Sequence, residues 1–495
     1  VNLPIPPYQF EKLKSNITYG ELQALSFEDV SKWVDELRNE LLDKWNDGQP
    51  PYIGTDTKTI IERFKKLNDY DLSDMFLEDE LYPDYLGFIK NFSRMGNGVN
   101  QFFPAILKSR INGKSIHDYL SNENLFLEFK YTIVQKVRFD KMFQFSKYVV
   151  RENETDEKDW ESFTKLLKMD DNIGFWFEDY EFNQKNDELH RLKLPSSIVK
   201  ELLEHPKYGV QSGINRVGFN TNGNEEHFTI RYYKKDTKVF PEMFQTLRVG
   251  LNQVAVNFPP LTARWIYEKY LGELSPQIKY KVYDCCSGWG GRLLGSLCSN
   301  ENIHYIGTDV NKSNQGCYEE LGNFYNKHTD DKNTYEIYYE GSEVIHQNKD
   351  FMNQHTNDVD LVFTSPPYFD REIYSTDKEQ SCLKFPTYSK WLDGYLEPTL
   401  YTAFELLKPE RYCIINICDI KVGRETLPLE QDTIRKAMKI GFHYIGKMGM
   451  CMTRMIGLNP TNSKNYWLDM KTQTTFKTEP ILIFKKKINY PWEKE

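Results

Sequence analysis

The sequence predicts an α/β fold whose second half carries a mostly parallel sheet, preceded by a mainly helical N-terminal region. Three observations predict it. Short apolar runs end in polar or acidic residues at 281–284, 303–309, 335–343, 361–364 and 412–419. Segments with helical spacing alternate with those runs, the pattern of parallel strands joined by crossover helices. Gly288, Gly290 and Gly291 then join the first run to a helix, and strand–glycine turn–helix lets a backbone approach a ligand closely.

The elements follow in order. Residues 1–245 are rich in Phe, Tyr, Asp, Glu, Lys and Asn. Helical periodicity marks 27–43 and 57–67. A hairpin is expected around Asn222 and Gly223, joining 216–224 to 228–233. Residues 151–160 are acidic and polar and read as an exposed connector. No repeat or low-complexity tract stands out. Asn257, Phe258, Pro259 and Pro260 lead into an amphipathic helix over 262–270. Val282 and Tyr283 close a buried strand with Asp284 at its end, and Arg292 opens a helix. Strands are expected at 303–309, 335–343 and 361–364, the last stopped by two prolines. Residues 391–407 read as a long helix kinked at Pro398, and 408–411 as a turn. A buried strand over 412–418, a helix over 428–440, a strand over 442–452 and a final strand over 479–485 complete a sheet of seven.

Composition bounds the rest. A chain of 495 residues, 39% hydrophobic and 27% charged, holds two or more domains. The division expected is 1–245 and 246–495. No run is apolar enough to span a membrane and the N-terminus does not read as a signal peptide, so a cytoplasmic protein is expected. All eight cysteines lie from Cys285 to Cys451, without zinc spacing or a disulfide framework. Free thiols in a reducing compartment, and no metal, are the expectation. The net charge of −9 does not favour phosphate contacts, although local basic clusters could supply them at 108–114, 130–138 and 231–235.

Residues 364–368 carry the most chemistry. Thr364, Ser365, Pro366, Pro367 and Tyr368 offer hydroxyls, free carbonyls and an aromatic face on a rigid loop. The stretch resembles the Ser-Pro-Pro-Tyr motif of the S-adenosylmethionine-dependent DNA amino-methyltransferases, which methylate the exocyclic nitrogen of cytosine or adenine. The glycine turn resembles the Asp-x-x-x-Gly-x-Gly-Gly loop that wraps the methionine end of that cofactor. Leu293 stands where a dinucleotide fingerprint needs its third glycine, which argues against a nicotinamide cofactor. Together the matches cover about half of the chain, from Asn257 to Lys485.

The resemblance implies a Rossmann-like methyltransferase that binds S-adenosyl-L-methionine. It places Asp284, Ser287, Gly288, Gly290, Gly291 and Thr364 at the cofactor, Asp309 on its ribose, and Ser342 or Glu343 beside its adenine. Phe258 and Pro259 would help to enclose the methionine portion. Ser365, Pro366, Pro367 and Tyr368 would be catalytic, with DNA contacts expected in the loop that follows. Ser in the first motif position favours cytosine N4 over adenine N6, and no Pro-Cys pair offers a carbon-5 nucleophile. RNA as substrate stays open, as does a non-catalytic nucleic-acid-binding scaffold with the same fold. The usual places for a recognition domain are small or missing, so 1–245 would recognise DNA, form a homodimer or bind another protein. A protective modification enzyme of a bacterium or its virus, as in restriction-modification, is the expected setting.

Overall fold

The computed structural model describes residues 3–90, 95–111, 114–128, 130, 146–151, 173–178, 227–234, 238–241, 244, 257–276, 278–329, 332–374, 377–422, 425–454, 466–471 and 474–487. The turn expected at Asn222 and Gly223, and the connector beyond Arg151, lie outside these residues. Strands at Ser146–Arg151, Ile173–Glu178 and His227–Lys234 form a separate antiparallel sheet. So the second arm of the expected hairpin pairs with 146–151 and 173–178.

Ten strands build the central sheet among the described residues. They are β1 (Phe76–Leu77), β2 (Phe88–Ile89), β3 (Tyr280–Asp284), β4 (Ile303–Thr308), β5 (Thr334–Tyr338), β6 (Val359–Thr364), β7 (Leu407–Asn416), β8 (Phe442–Arg454), β9 (Tyr466–Asp469) and β10 (Thr474–Lys486). The spatial order is β1-β2-β8-β10-β7-β6-β3-β4-β5, with β9 also on β10. From β7 to β5 all pairs are parallel. β10 runs antiparallel to both β7 and β8. Counted along the chain from β3, the parallel part reads 3-2-1-4-5, the doubly wound order of Rossmann-like sheets.

Seven of these strands are the expected ones. β1, β2 and β9 are additions. At two residues each, β1 and β2 are too short to show a period. Side chains hold them instead. Phe88 stacks on Trp467 at 4.7 Å and 7°, and Lys90 pairs with Asp469 at 2.7 Å.

Two expectations are corrected in detail. Residues 408–411 are part of β7, and the turn signal of Pro409 is absorbed as an irregularity in register between Val359 and Leu361, with Glu410 at φ +61°. The long helix is three pieces, a turn at Tyr388–Trp391, a wide π turn at Leu392–Leu396 and a helix at Glu397–Leu406. Pro398 sits in the first turn of the last piece, where a missing N–H costs little.

Helices α1 (Phe27–Asn46), α2 (Thr57–Asp69), α3 (Pro260–Gly272), α4 (Gly291–Leu297), α5 (Cys317–His328), α6 (Lys349–His355), α7 (Glu397–Leu406) and α8 (Leu429–Ile440) flank the sheets. Local chemistry starts them. Ser26 caps α1 by accepting from the Asp29 N–H at 3.1 Å, and Asp56 caps α2 through the Thr59 N–H at 3.0 Å. α2 buries Ile60, Phe64 and Leu67 on one stripe.

That stripe packs directly against the second half of the chain. Ile60, Phe64, Val99, Phe102 and Phe103 share one core with Leu261, Ile266, Leu293, Phe324 and Leu361. The opposite face of the sheet packs Tyr283, Ile306 and Val362 against Trp391, Leu396 and Leu400. α1 has its own core with Ile116, Tyr119, Leu120, Val239 and Phe240. Composition changes near 245, but residues on both sides of that point complete one apolar layer. Among the described residues no helix is long and apolar enough to cross a membrane, and no cluster of His, Cys, Asp and Glu could hold a metal. All eight cysteines are free.

Candidate active site

β3 and β6 lie side by side, yet the chain leaves them toward opposite ends of the sheet, to β4 and β7. In sheets of this order ligands bind where the strand order reverses, at the carboxyl ends of the strands. The glycine turn leaves β3 there and the Ser-Pro-Pro-Tyr loop leaves β6 there. One hydrogen bond joins them. Thr364 donates its hydroxyl to Asp284 at 2.8 Å.

Asp284 is fully buried. Its carboxylate accepts from Arg292 Nε at 2.8 Å, Tyr305 Oη at 2.5 Å and the Cys286 N–H at 3.1 Å, besides Thr364. Those bonds occupy both oxygens, so Asp284 shapes the loop from beneath. Ser287 is also buried, with its Oγ 3.2 Å from Tyr305 Oη. These residues are brought together, but as a support under the cleft. Arg292, Tyr305 and Tyr318 were missed by the sequence reading. An arginine that opens a helix normally reads as solvated, and its position eight residues after Asp284 was the available signal.

The glycines make the turn itself. Gly288 and Gly290 have φ of +56° and +73°, a region that costs a side chain energy. A Cβ on Gly290 would also meet the Phe103 ring at 2.7 Å. Asn257 clips the turn. It donates to the Trp289 carbonyl at 2.5 Å and accepts from the Gly291 N–H at 3.1 Å. Phe258 is buried against Phe363 at 5.2 Å, and Pro259 stands at the head of α3.

Asp309 follows β4 and faces the same turn. Its Oδ2 accepts from the Gly288 N–H at 2.8 Å and Tyr318 Oη at 2.9 Å, while Oδ1 accepts from the Asn311 N–H at 2.7 Å. Oδ1 keeps a further lone pair. Burial pushes its carboxyl up to about 6, against the pull of those three donors.

Ser342 follows β5. It is buried, and its hydroxyl lies 2.8 Å from Thr399 of α7. Glu343 is paired with Lys384 at 3.0 Å.

The Ser-Pro-Pro-Tyr loop is held by one residue that the sequence did not flag. Asn416, the last residue of β7, accepts from Ser365 Oγ at 3.2 Å and from Tyr368 Oη at 3.1 Å. The next residue, Phe369, adopts φ +52° and is buried against Tyr388 and Trp391. A bulky residue in that region stores strain that its packing must hold, a pattern concentrated at functional loops. Beside the loop, burial pushes the Cys286 and Cys418 thiols up to about 12. Neither is a thiolate nucleophile at neutral pH.

The N-terminal half reaches both loops. Asn100 Oδ1 accepts from Asn257 Nδ2 at 3.0 Å, and Phe103 packs edge-on to Trp289 at 6.4 Å. Arg110–Ile111 pairs antiparallel with Glu372–Ile373, just beyond the Ser-Pro-Pro-Tyr loop. Tyr374 then meets Trp289 at 5.9 Å.

No family profile matches the sequence, and no curated protein matches it. Solved structures resemble parts of it. A candidate DNA modification methylase from Thermus thermophilus, in complex with S-adenosyl-L-methionine, is 23% identical over 28% of this chain and 53% of its own, with a TM-score of 0.21. An S-adenosylmethionine-dependent O-methyltransferase from Thermotoga maritima is 10% identical over 54% of this chain and 76% of its own, with a TM-score of 0.28. An S-adenosylmethionine-dependent methyltransferase from Agrobacterium tumefaciens is 14% identical over 48% and 65%, with a TM-score of 0.31. The match thus spans about half the length of the Thermus protein. The fold assignment stands on strand order and register.

Proposed function

We propose that this chain is an S-adenosyl-L-methionine-dependent methyltransferase that acts on the exocyclic amine of a nucleic-acid base, with cytosine N4 in DNA as the first choice. The observation that carries the reading is the meeting of the glycine turn and the Ser-Pro-Pro-Tyr loop at the switch point, joined by Thr364 and Asp284. The turn fits the cofactor. Gly288 and Gly290, at φ +56° and +73°, keep the turn in a conformation that side chains disfavour, and Asp309 retains acceptor capacity for a ribose hydroxyl. Bound there, the cofactor would supply a methyl group carried on a sulfonium. The chain's own part is orientation. Ser365 and the proline carbonyls would accept from the amine, and Tyr368 would stack on the base. The nitrogen gains the methyl group and gives up one proton, and no covalent enzyme intermediate is needed.

DNA is the proposed partner. Among the basic residues described near the expected patches, Arg110 pairs with Asp118, Lys114 with Glu128 and Lys130 with Asp35. Phosphate contacts from these would have to share existing pairs. The deciding experiment incubates the protein with labelled S-adenosylmethionine and DNA, then digests to nucleosides. Label on N4 of deoxycytidine is expected. Label on N6 of deoxyadenosine would move the assignment to the second base, and cofactor binding without transfer to DNA or RNA would favour the scaffold reading.

Asp309 makes a pH prediction. An acid whose pKa is raised to about 6 is neutral below that pH and anionic above it. A ribose hydroxyl donates better to the anion. Cofactor affinity should therefore fall as pH drops through 6, approaching about tenfold per unit. Calorimetric titration between pH 5 and 8 checks it, roughly spanning both forms. Asp309→Asn should be weaker at pH 8 and flat across the range.

A further inference from the structure

We infer that Asn416 is a positioning residue that fixes the hydrogen-bond polarity of Ser365, so that its hydroxyl presents only lone pairs to the substrate; this deepens, and rests on, the methyl-transfer reading of the site. Asn416 is 2% exposed. Its Nδ2 donates to the carbonyl of Pro480 on β10 at 3.1 Å. A carbonyl only accepts, so turning the amide over would set two oxygens against each other. Oδ1 must face the loop. An amide oxygen has two lone pairs and no proton, and it receives Ser365 at 3.2 Å and Tyr368 at 3.1 Å. The single proton of Ser365 is spent on that bond. What the hydroxyl has left is its lone pairs.

The two prolines complete the surface, because neither has an N–H to offer. A serine free to rotate could donate to a ring nitrogen or accept from an amine. With Asn416 in place only the second remains. The substrate class is therefore a base that brings an N–H donor to the loop. The ring nitrogen next to that amine, an acceptor in both cytosine and adenine, receives nothing from Ser365. Discrimination between the two bases must come from other residues.

Two variants test this in the full chain. Asn416→Ala releases the Ser365 hydroxyl, and kcat should fall by up to about 100-fold, the usual cost of a misdirected group. S-adenosylmethionine affinity, measured by calorimetry on the same protein, should not change. Asn416→Asp gives the sharper result. In either charge state it keeps an oxygen that accepts from Ser365, and as a neutral acid it also donates to Pro480. With saturating cofactor at pH 5 its kcat should stay close to wild type and well above that of Asn416→Ala. If Asn416→Ala loses its fold, Asn416→Asp at low pH carries the test alone. Wild-type kcat in Asn416→Ala, or an Asn416→Asp kcat at pH 5 as low as that expected of Asn416→Ala, would overturn the inference. A wild-type protein that binds cofactor but methylates no base would instead overturn the reading beneath it.

Discussion

Ser365→Ala should slow base methylation by roughly 10²–10³, the cost of removing one aimed hydrogen bond in a dry site. Cofactor affinity should stay at the wild-type level. The asymmetry follows from position. Ser365 lies beyond the end of β6 and touches Asn416, whereas the glycine turn is held by Asn257, Asp309 and the Asp284 network. Removing the hydroxyl leaves those contacts whole. It also leaves Asn416 Oδ1 with Tyr368 as a donor, so the loop should keep its shape. Tyr368→Ala should lose base stacking of about 1–3 kcal/mol, and Tyr368→Phe should keep most of it. Single-turnover methylation, with calorimetry beside it, separates chemistry from binding. Near-normal rates in both alanine variants would make the motif a structural turn.

The largest effect on stability is expected at Arg292. Its guanidinium is buried against Asp284, Nε to Oδ2 at 2.8 Å, with the Phe258 ring 5.6 Å away. Arg292→Met removes one partner of a buried pair and leaves the carboxylate uncompensated. Such losses cost about 3–5 kcal/mol, a large share of the stability of an ordinary domain. Adding Asp284→Asn to Arg292→Met removes the stranded charge and should recover part of the loss. Chemical denaturation of the three proteins checks this. An Arg292→Met midpoint equal to wild type would mean that water reaches Asp284.

What could be read ahead of the structure was the chemistry that lies close together in sequence. The glycine turn, Asp309 and the Ser-Pro-Pro-Tyr loop each sit at the end of an apolar run, and parallel strands bring such ends to one edge. Asn416 ends such a run too. Its role depends on β10 supplying the Pro480 carbonyl from another part of the chain, and no local pattern announces that. Ser342 likewise meets a partner from far along the chain, Thr399 of α7, that no local pattern announces. Asp284 ends its strand as expected, and burial with four donors turns it into a brace. The β1 and β2 pieces carried no legible period, because two residues fixed by Trp467 and Asp469 need none.

The wiring between the two halves has a consequence for how the protein is made. Lys90 finds Asp469 across 379 positions, and Arg110 and Ile111 find Ile373 and Glu372 only after the Ser-Pro-Pro-Tyr loop exists. A chain emerging from the ribosome at about 5–20 residues per second holds the α2 stripe and the Phe88 strand without their partners for tens of seconds. Such distant pairings close late, since loop entropy is lost before contacts reward it. Yields from refolding should therefore depend on concentration and on holdase chaperones more than those of a protein with local wiring. The site would be among the last parts of the molecule to become whole.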